Sequence, residues 1–113
     1  MSQFGLKQDT INQINQIFST YPEISKAIIY GSRAKGNYKP GSDIDLTLVG
    51  DNINHHQLLE ILNKIDDLLL PYFFDLSIFN SLNNPNLIEH IERVGITFYK
   101  REVYQLQEEA KAA

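Results

Sequence analysis

The chain has 113 residues, of which 42% are hydrophobic and 21% charged, with a net charge of −4. Length and composition fit one globular domain with one core, and the acidic balance speaks against broad or direct nucleic-acid binding. No apolar run approaches 18 residues, the start MSQFGLKQDT lacks a leader pattern, and there is no cysteine. Membrane spans, a signal peptide, disulfides, thiolate metal sites and a cysteine nucleophile are therefore not expected, and the cytoplasm is the expected location.

In chain order, INQINQIF places Ile11, Ile14, Ile17 and Phe18 on one face and predicts a helix from about Lys7 to Thr20. Tyr21-Pro22 ends it. KAIIYG, Lys26 to Gly31, is short and β-branched and reads as a strand. DIDLTLV, Asp43 to Val49, alternates and reads as a second strand. Asn54 and Gln57 form the pattern of a capping box. The helix behind them carries Leu58, Ile61, Leu62, Ile65, Leu68 and Leu69 as its apolar stripe and stops at Pro71. YFFDLSIF, Tyr72 to Phe79, predicts a third strand. Asn84-Pro85 then starts a helix with Leu87, Ile88, Ile91 and Val94 facing inward and Gly95 at its end. ITFYKR predicts a final strand, and the polar stretch 102–113 a tail helix or frayed end. The order is that of one α/β domain over 1–113, a mixed sheet packed against helices.

Charge is distributed unevenly. Between Ile24 and Ser42 lie Lys26, Arg33, Lys35 and Lys39 and no acid, which leaves −8 for the remainder. Directly after this basic turn come Asp43 and Asp45, which alternation puts with Thr47 on one strand face. In the third strand Phe73, Asp75 and Ser77 share a face. If the two strands are neighbours, three carboxylates converge within reach of a bridging cation. Such a cluster is unfavourable alone and suits a hard divalent ion, Mg²⁺ or Mn²⁺, which in turn implies a phosphate ligand. Gly31 allows close backbone approach, and Ser32 offers a hydroxyl and an N–H at the start of a short helix. Arg33, Lys35 or Lys39 can screen further phosphate charge. A P-loop is excluded because Asn37-Tyr38 stands where Lys-Ser/Thr is needed. His55, His56 and His90 have no zinc-site spacing and read as surface residues.

The string GSRAKGNYKPGSDIDL, with Gly31-Ser32, ten intervening residues and Asp43-Ile44-Asp45, resembles the DNA polymerase beta-type nucleotidyltransferases. Its fuller form, with Arg33 and Ser42, is similar to their minimal nucleotidyltransferase subgroup, which includes MntA-like antitoxins paired with HEPN-domain toxins. The resemblance implies two-metal nucleotidyl transfer. Asp43, Asp45 and Asp75 would ligate Mg²⁺, and Asp75 would accept the proton of the attacking hydroxyl. Gly31, Ser32, Arg33 and Ser42 would form the nucleotide side. The implied reaction moves AMP from ATP to a tyrosine of a cognate HEPN-type toxin. Two alternatives stand beside it: transfer to a small molecule or RNA, and an antitoxin that neutralises its partner by binding alone. The larger relatives' further helical domain has no counterpart here, so the carboxylate-bearing face is expected to be open until a partner supplies a wall. A homo-oligomer is compatible with the sequence.

Overall fold

A computed structural model describes residues 2–101. The tail predicted for 102–113 lies outside the described residues. The chain opens with a hairpin of β1 (Ser2–Gln3) and β2 (Leu6–Lys7) and continues into α1 (Gln8–Ser19). Next come β3 (Lys26–Tyr30), α2 (Gly31–Lys35) and β4 (Ile44–Val49). The second half holds α3 (His55–Asp66), β5 (Phe74–Ile78), a 3-10 turn at Phe79–Ser81, α4 (Pro85–Val94) and β6 (Ile96–Lys100). No described helix is long and apolar enough to cross a membrane.

The four longer strands form one mixed sheet in the order β5-β4-β3-β6. β3 pairs antiparallel with β4 and β6, and β4 pairs parallel with β5. The parallel pair exists because α3 carries the chain back between the two strands, as a crossover requires. One sheet face is the main core. Ala27, Ile29, Ile44, Leu46, Leu48, Leu76 and Phe98 meet Ile11, Ile14 and Phe18 of α1 and Ile61 and Ile65 of α3 there. These are the apolar positions of the alternating strands and of the helical stripes, so periodicity alone selects them. α4 covers part of the other face, where Ile91 borders a groove with Ile28, Val49 and Thr97. The rest of that face carries the polar residues of β4 and β5. Thr47 is fully buried, and Ser77 Oγ donates to its hydroxyl at 2.9 Å.

Several ends follow from named residues. The Asn54 side chain accepts from Gln57 N at 2.8 Å, and the Gln57 side chain accepts from Asn54 N at 3.1 Å, closing the expected capping box. Asn84 accepts from Asn86 N and Leu87 N with Pro85 at the first helical position. Gly95 ends α4 in extended rather than left-handed backbone, φ −64°. It is required for space: a β-carbon there would strike the Ile91 carbonyl and Ile28. Arg101 ties the end of β6 down, its guanidinium donating to the carbonyls of Ser19, Tyr21 and Ile24.

Three expectations need correction. The stripe of α3 does not run to Leu69, because the helix ends at Asp66. Leu69 has φ 56° and is 88% exposed, so a left-handed turn, not Pro71, stops the helix. The third strand is shorter than Tyr72–Phe79, and Phe73 is exposed ahead of it. The β1–β2 hairpin has no strand or turn signal in the sequence. Its turn is Phe4-Gly5, with φ 58° and 72°, and a phenylalanine in left-handed backbone gives no turn signal.

Replacing Asn54 by Ala removes one half of the capping box. The expected loss is about 1 kcal/mol, read as a lower urea midpoint at unchanged slope.

Candidate active site

The site is built where β3 stops. Tyr30, its last residue, pairs with Asp45 across the antiparallel register. Gly31 follows with φ 71° and begins α2 without a connecting loop. A β-carbon at Gly31 would overlap Asp45 Oδ2. The glycine is thus required twice: for a left-handed backbone, and because the Asp45 carboxylate rests on its α-carbon. The two halves of the GSR…DID motif are in contact at this point. Ser32 lies in the first turn of α2 and is half-buried, while Lys35 and Lys39 are exposed.

Arg33 is placed differently from the expectation of a phosphate contact on the nucleotide side. It is 2% exposed, and neither described ion pair includes it. Nε donates to Ser42 O at 3.1 Å, Nη1 to Phe4 O at 2.8 Å, and Nη2 to Pro40 O at 3.2 Å and Ser42 O at 2.8 Å. Its guanidinium carbon lies 5.4 Å from the Tyr38 ring centroid and 5.0 Å from that of Tyr72. The cation is solvated by carbonyl dipoles and aromatic faces instead of by an acid. The loop from Gly36 to Ser42 is wound around it. Ser42, expected on the nucleotide side, also serves this loop: its hydroxyl accepts from Lys39 N at 2.8 Å.

The carboxylates come from two neighbouring strands. Asp45 of β4 stands directly opposite Asp75 of β5 in the parallel register, and Asp43 lies just before β4. Asp43 and Asp75 are exposed and Asp45 is half-buried. Burial pushes the Asp45 carboxyl above its usual range, and the charges of Asp75 and Asp43 push it further, with His90 opposing. The expected convergence is therefore electrostatic, but it is looser than a metal cage. Among the described residues no three acid, histidine or cysteine side chains are gathered closely enough to hold a metal ion. Like charges at this range repel and do not close on one another.

Two further residues face the cluster. Tyr30 is buried at 6% exposure, and burial, then the Asp75 charge, raise its hydroxyl pKa. The neighbouring Ser77 hydroxyl opposes that rise, and Asp45 adds to it. His90 of α4, expected on a polar surface, is half-buried with its ring edge-on to Tyr30 at 6.1 Å between centroids. Helical spacing could have flagged it, since Leu87, His90, Ile91 and Val94 fall on one face of α4. His55 and His56 are exposed as expected.

A family model described as polymerase beta, nucleotidyltransferase, matches residues 12–104. The chain belongs to this nucleotidyltransferase family. No curated relative is matched by sequence. Among solved structures, a toxin–antitoxin with AMP-PNP aligns with this nucleotidyltransferase at a TM-score of 0.65 and 20% identity, covering 95% of this chain and 94% of that one. A tri-AMPylated Shewanella oneidensis HEPN toxin in complex with MNT antitoxin aligns at 0.63 and 19%, covering 95% and 94%. An MntA–HepT toxin–antitoxin aligns at 0.62 and 19%, covering 94% of each chain. At these identities the likeness establishes the fold, which is the nucleotidyltransferase fold with its mixed sheet and flanking helices.

Two outcomes test the geometry. Gly31→Ala forces both a left-handed alanine and a displaced Asp45, and should cost about 1–3 kcal/mol in urea unfolding. Asp45→Asn should have the opposite sign in the metal-free protein. The Asp45 carboxyl is raised from 3.8 in the folded state, so the native state holds its proton longer than the unfolded chain. Stability then falls as pH rises from about 3.8 through the raised value, and the penalty persists at neutral pH. Asn removes it. The variant should be the more stable at pH 7, and the difference from the parent should vanish toward acid pH in paired unfolding curves.

Proposed function

We propose that the chain is a divalent-metal-dependent adenylyltransferase that moves AMP from ATP to a hydroxyl of a partner protein. The acceptor proposed is a tyrosine of a HEPN-type toxin, which makes the chain an antitoxin. The observation that carries this reading is the contact of the Asp45 carboxylate with the Gly31 α-carbon, with Asp75 opposite in register. It joins the glycine-serine turn to the acidic pair in one continuous site. The family match supports nucleotidyl transfer, and solved relatives that contain AMP-PNP or a tri-AMPylated HEPN toxin support the nucleotide and the acceptor.

The donor chemistry, though not the carboxylate spacing seen here, suits a hard cation. Asp43, Asp45 and Asp75 offer oxygen only, and the raised Asp45 carboxyl is the group whose ionised form a cation would stabilise. Mg²⁺ held there would offset charge on the leaving pyrophosphate and ease ionisation of the attacking hydroxyl. The chain's own residues supply the rest. Ser32, by hydroxyl and N–H, holds the terminal phosphates beside Gly31, whose missing side chain leaves them room. Asp75, exposed on the outer strand, takes the proton of the incoming hydroxyl. That oxygen bonds to the α-phosphorus, the bond to the bridging oxygen breaks, and pyrophosphate leaves. Arg33 acts at one remove, by fixing the loop that brings Ser42 and Asp43 to the site. With Asp43 and Asp75 exposed, the acceptor protein supplies the second wall, and ATP alone should bind weakly.

The test uses ATP labelled at the α-phosphate, Mg²⁺ and a purified HEPN-type partner. Label should move to partner tyrosine. Asp45→Asn should abolish transfer, and Ser32→Ala should slow it by about 10- to 100-fold, the loss of one strong phosphate contact. Asp45→Asn transferring at the parental rate would overturn the assignment.

A further inference from the structure

Among the described residues β5 is an edge strand, paired only with β4 in the sheet order. Beyond it, a groove of about 270 Å³ runs between α3 and the segment entering β5. Leu62, Ile65, Leu70, Tyr72, Phe73 and Phe74 form its apolar wall. Phe73 is 80% exposed, and Leu69, just before the groove residue Leu70, is 88% exposed. They are the two most exposed large hydrophobic residues among those described. Core packing explains neither.

Leu69 also sits at φ 56°, where asparagine or glycine would be less strained and would expose less apolar surface. The fold therefore keeps a leucine in water at a backbone cost. The surrounding charge is of one sign. From Ile65 to Glu92 there are five acids and no lysine or arginine. Asp66 lines the groove, Asp67 follows it, and Asp75 lies two residues past Phe73. An apolar centre with a carboxylate rim matches a partner whose apolar patch is ringed by lysine or arginine. A second copy of this chain would bring the same acids against these, and nucleic acid would be repelled outright. The position adds a reason of its own. A protein seated over the β5 edge lies beside Asp75, the residue to which an acceptor hydroxyl must come.

We propose that this groove and the Leu69–Phe73 surface dock the acceptor protein, through an apolar patch rimmed by basic side chains. The inference rests on the transferase reading above. Tyr72 gives the dock a physical link to the site, since its ring lines the groove and also covers the Arg33 guanidinium.

The experiment measures two things on the full chain: binding of the purified HEPN-type partner by calorimetry, and label transfer. Leu69→Asn with Phe73→Ser should keep or raise its melting temperature, since both side chains are exposed and asparagine suits the left-handed backbone at 69, and should keep its affinity for ATP. Its Kd for the partner should rise about tenfold or more, as expected for the loss of two apolar anchors. Asp66→Lys with Asp67→Lys should weaken binding too and flatten its dependence on salt. Partner Kd within about twofold of the parent in the Leu69/Phe73 variant overturns the dock, even if label moves normally. Lost partner binding supports the dock even where no label moves, an outcome that counts against the transferase reading alone. A parent dimer that the Leu69/Phe73 variant converts to monomer in sedimentation assigns the groove to self-contact and overturns the proposal.

Discussion

A single guanidinium holds three stretches of chain together. Arg33 reaches Phe4 O in the β1–β2 hairpin and Pro40 O and Ser42 O in the loop before β4, and it stacks on Tyr72 at the entrance to β5. Burying a cation without an acid partner is unfavourable unless its donors are met, and here carbonyls and ring faces meet them. Hydrogen bonds from a charged donor contribute about 1.5–3 kcal/mol each, and here they offset the desolvation of the buried cation. Its consequence is positional. The loop that leads to Asp43 and β4 is tied to the guanidinium through the Pro40 and Ser42 carbonyls.

From that node outward the sheet divides its labour. The face toward α1 and α3 is fully apolar and supplies the core. The other face is only partly covered by α4 and carries Tyr30, Asp45, Thr47, Asp75 and Ser77. Polar groups there are satisfied where they are buried, as Thr47 is by Ser77 at 2.9 Å. The carboxylates are left in conflict: half-buried Asp45 is raised by its burial and then by the charges of exposed Asp75 and Asp43. The repulsion among these carboxylates is a cost to folding, and the apolar core on the opposite face offsets it.

The parallel pairing of β4 with β5 matters as much as the motif itself. It puts Asp45 level with Asp75. A slip of one residue would turn Asp75 to the core side and bring Phe74 or Leu76 to the site. The buried Ile44, Leu46, Leu48 and Leu76 prevent such a slip. Core packing and site geometry are therefore one constraint read from two faces of the same strands.

The elements were legible because their signals are local. Alternation in Asp43 to Val49, the helical stripes of α1 and α3, the Asn54–Gln57 box and the Asn84-Pro85 start depend on neighbours within one or two turns of chain. The motif was legible for the same reason: Gly31, Ser32, Asp43 and Asp45 stand at a spacing that a strand, a turn and a strand can close. Sequence alone thus determined the fold class, the core faces and the acidic pair. Tertiary structure decided what depends on distant partners. It took Arg33 and Ser42 into the loop, brought His90 across to Tyr30, and set Asp75 against Asp45. It also ended α3 early and left Leu69 and Phe73 in water. No residue type announces these outcomes, because each is settled by which carbonyl, ring or strand lies opposite once the sheet has formed.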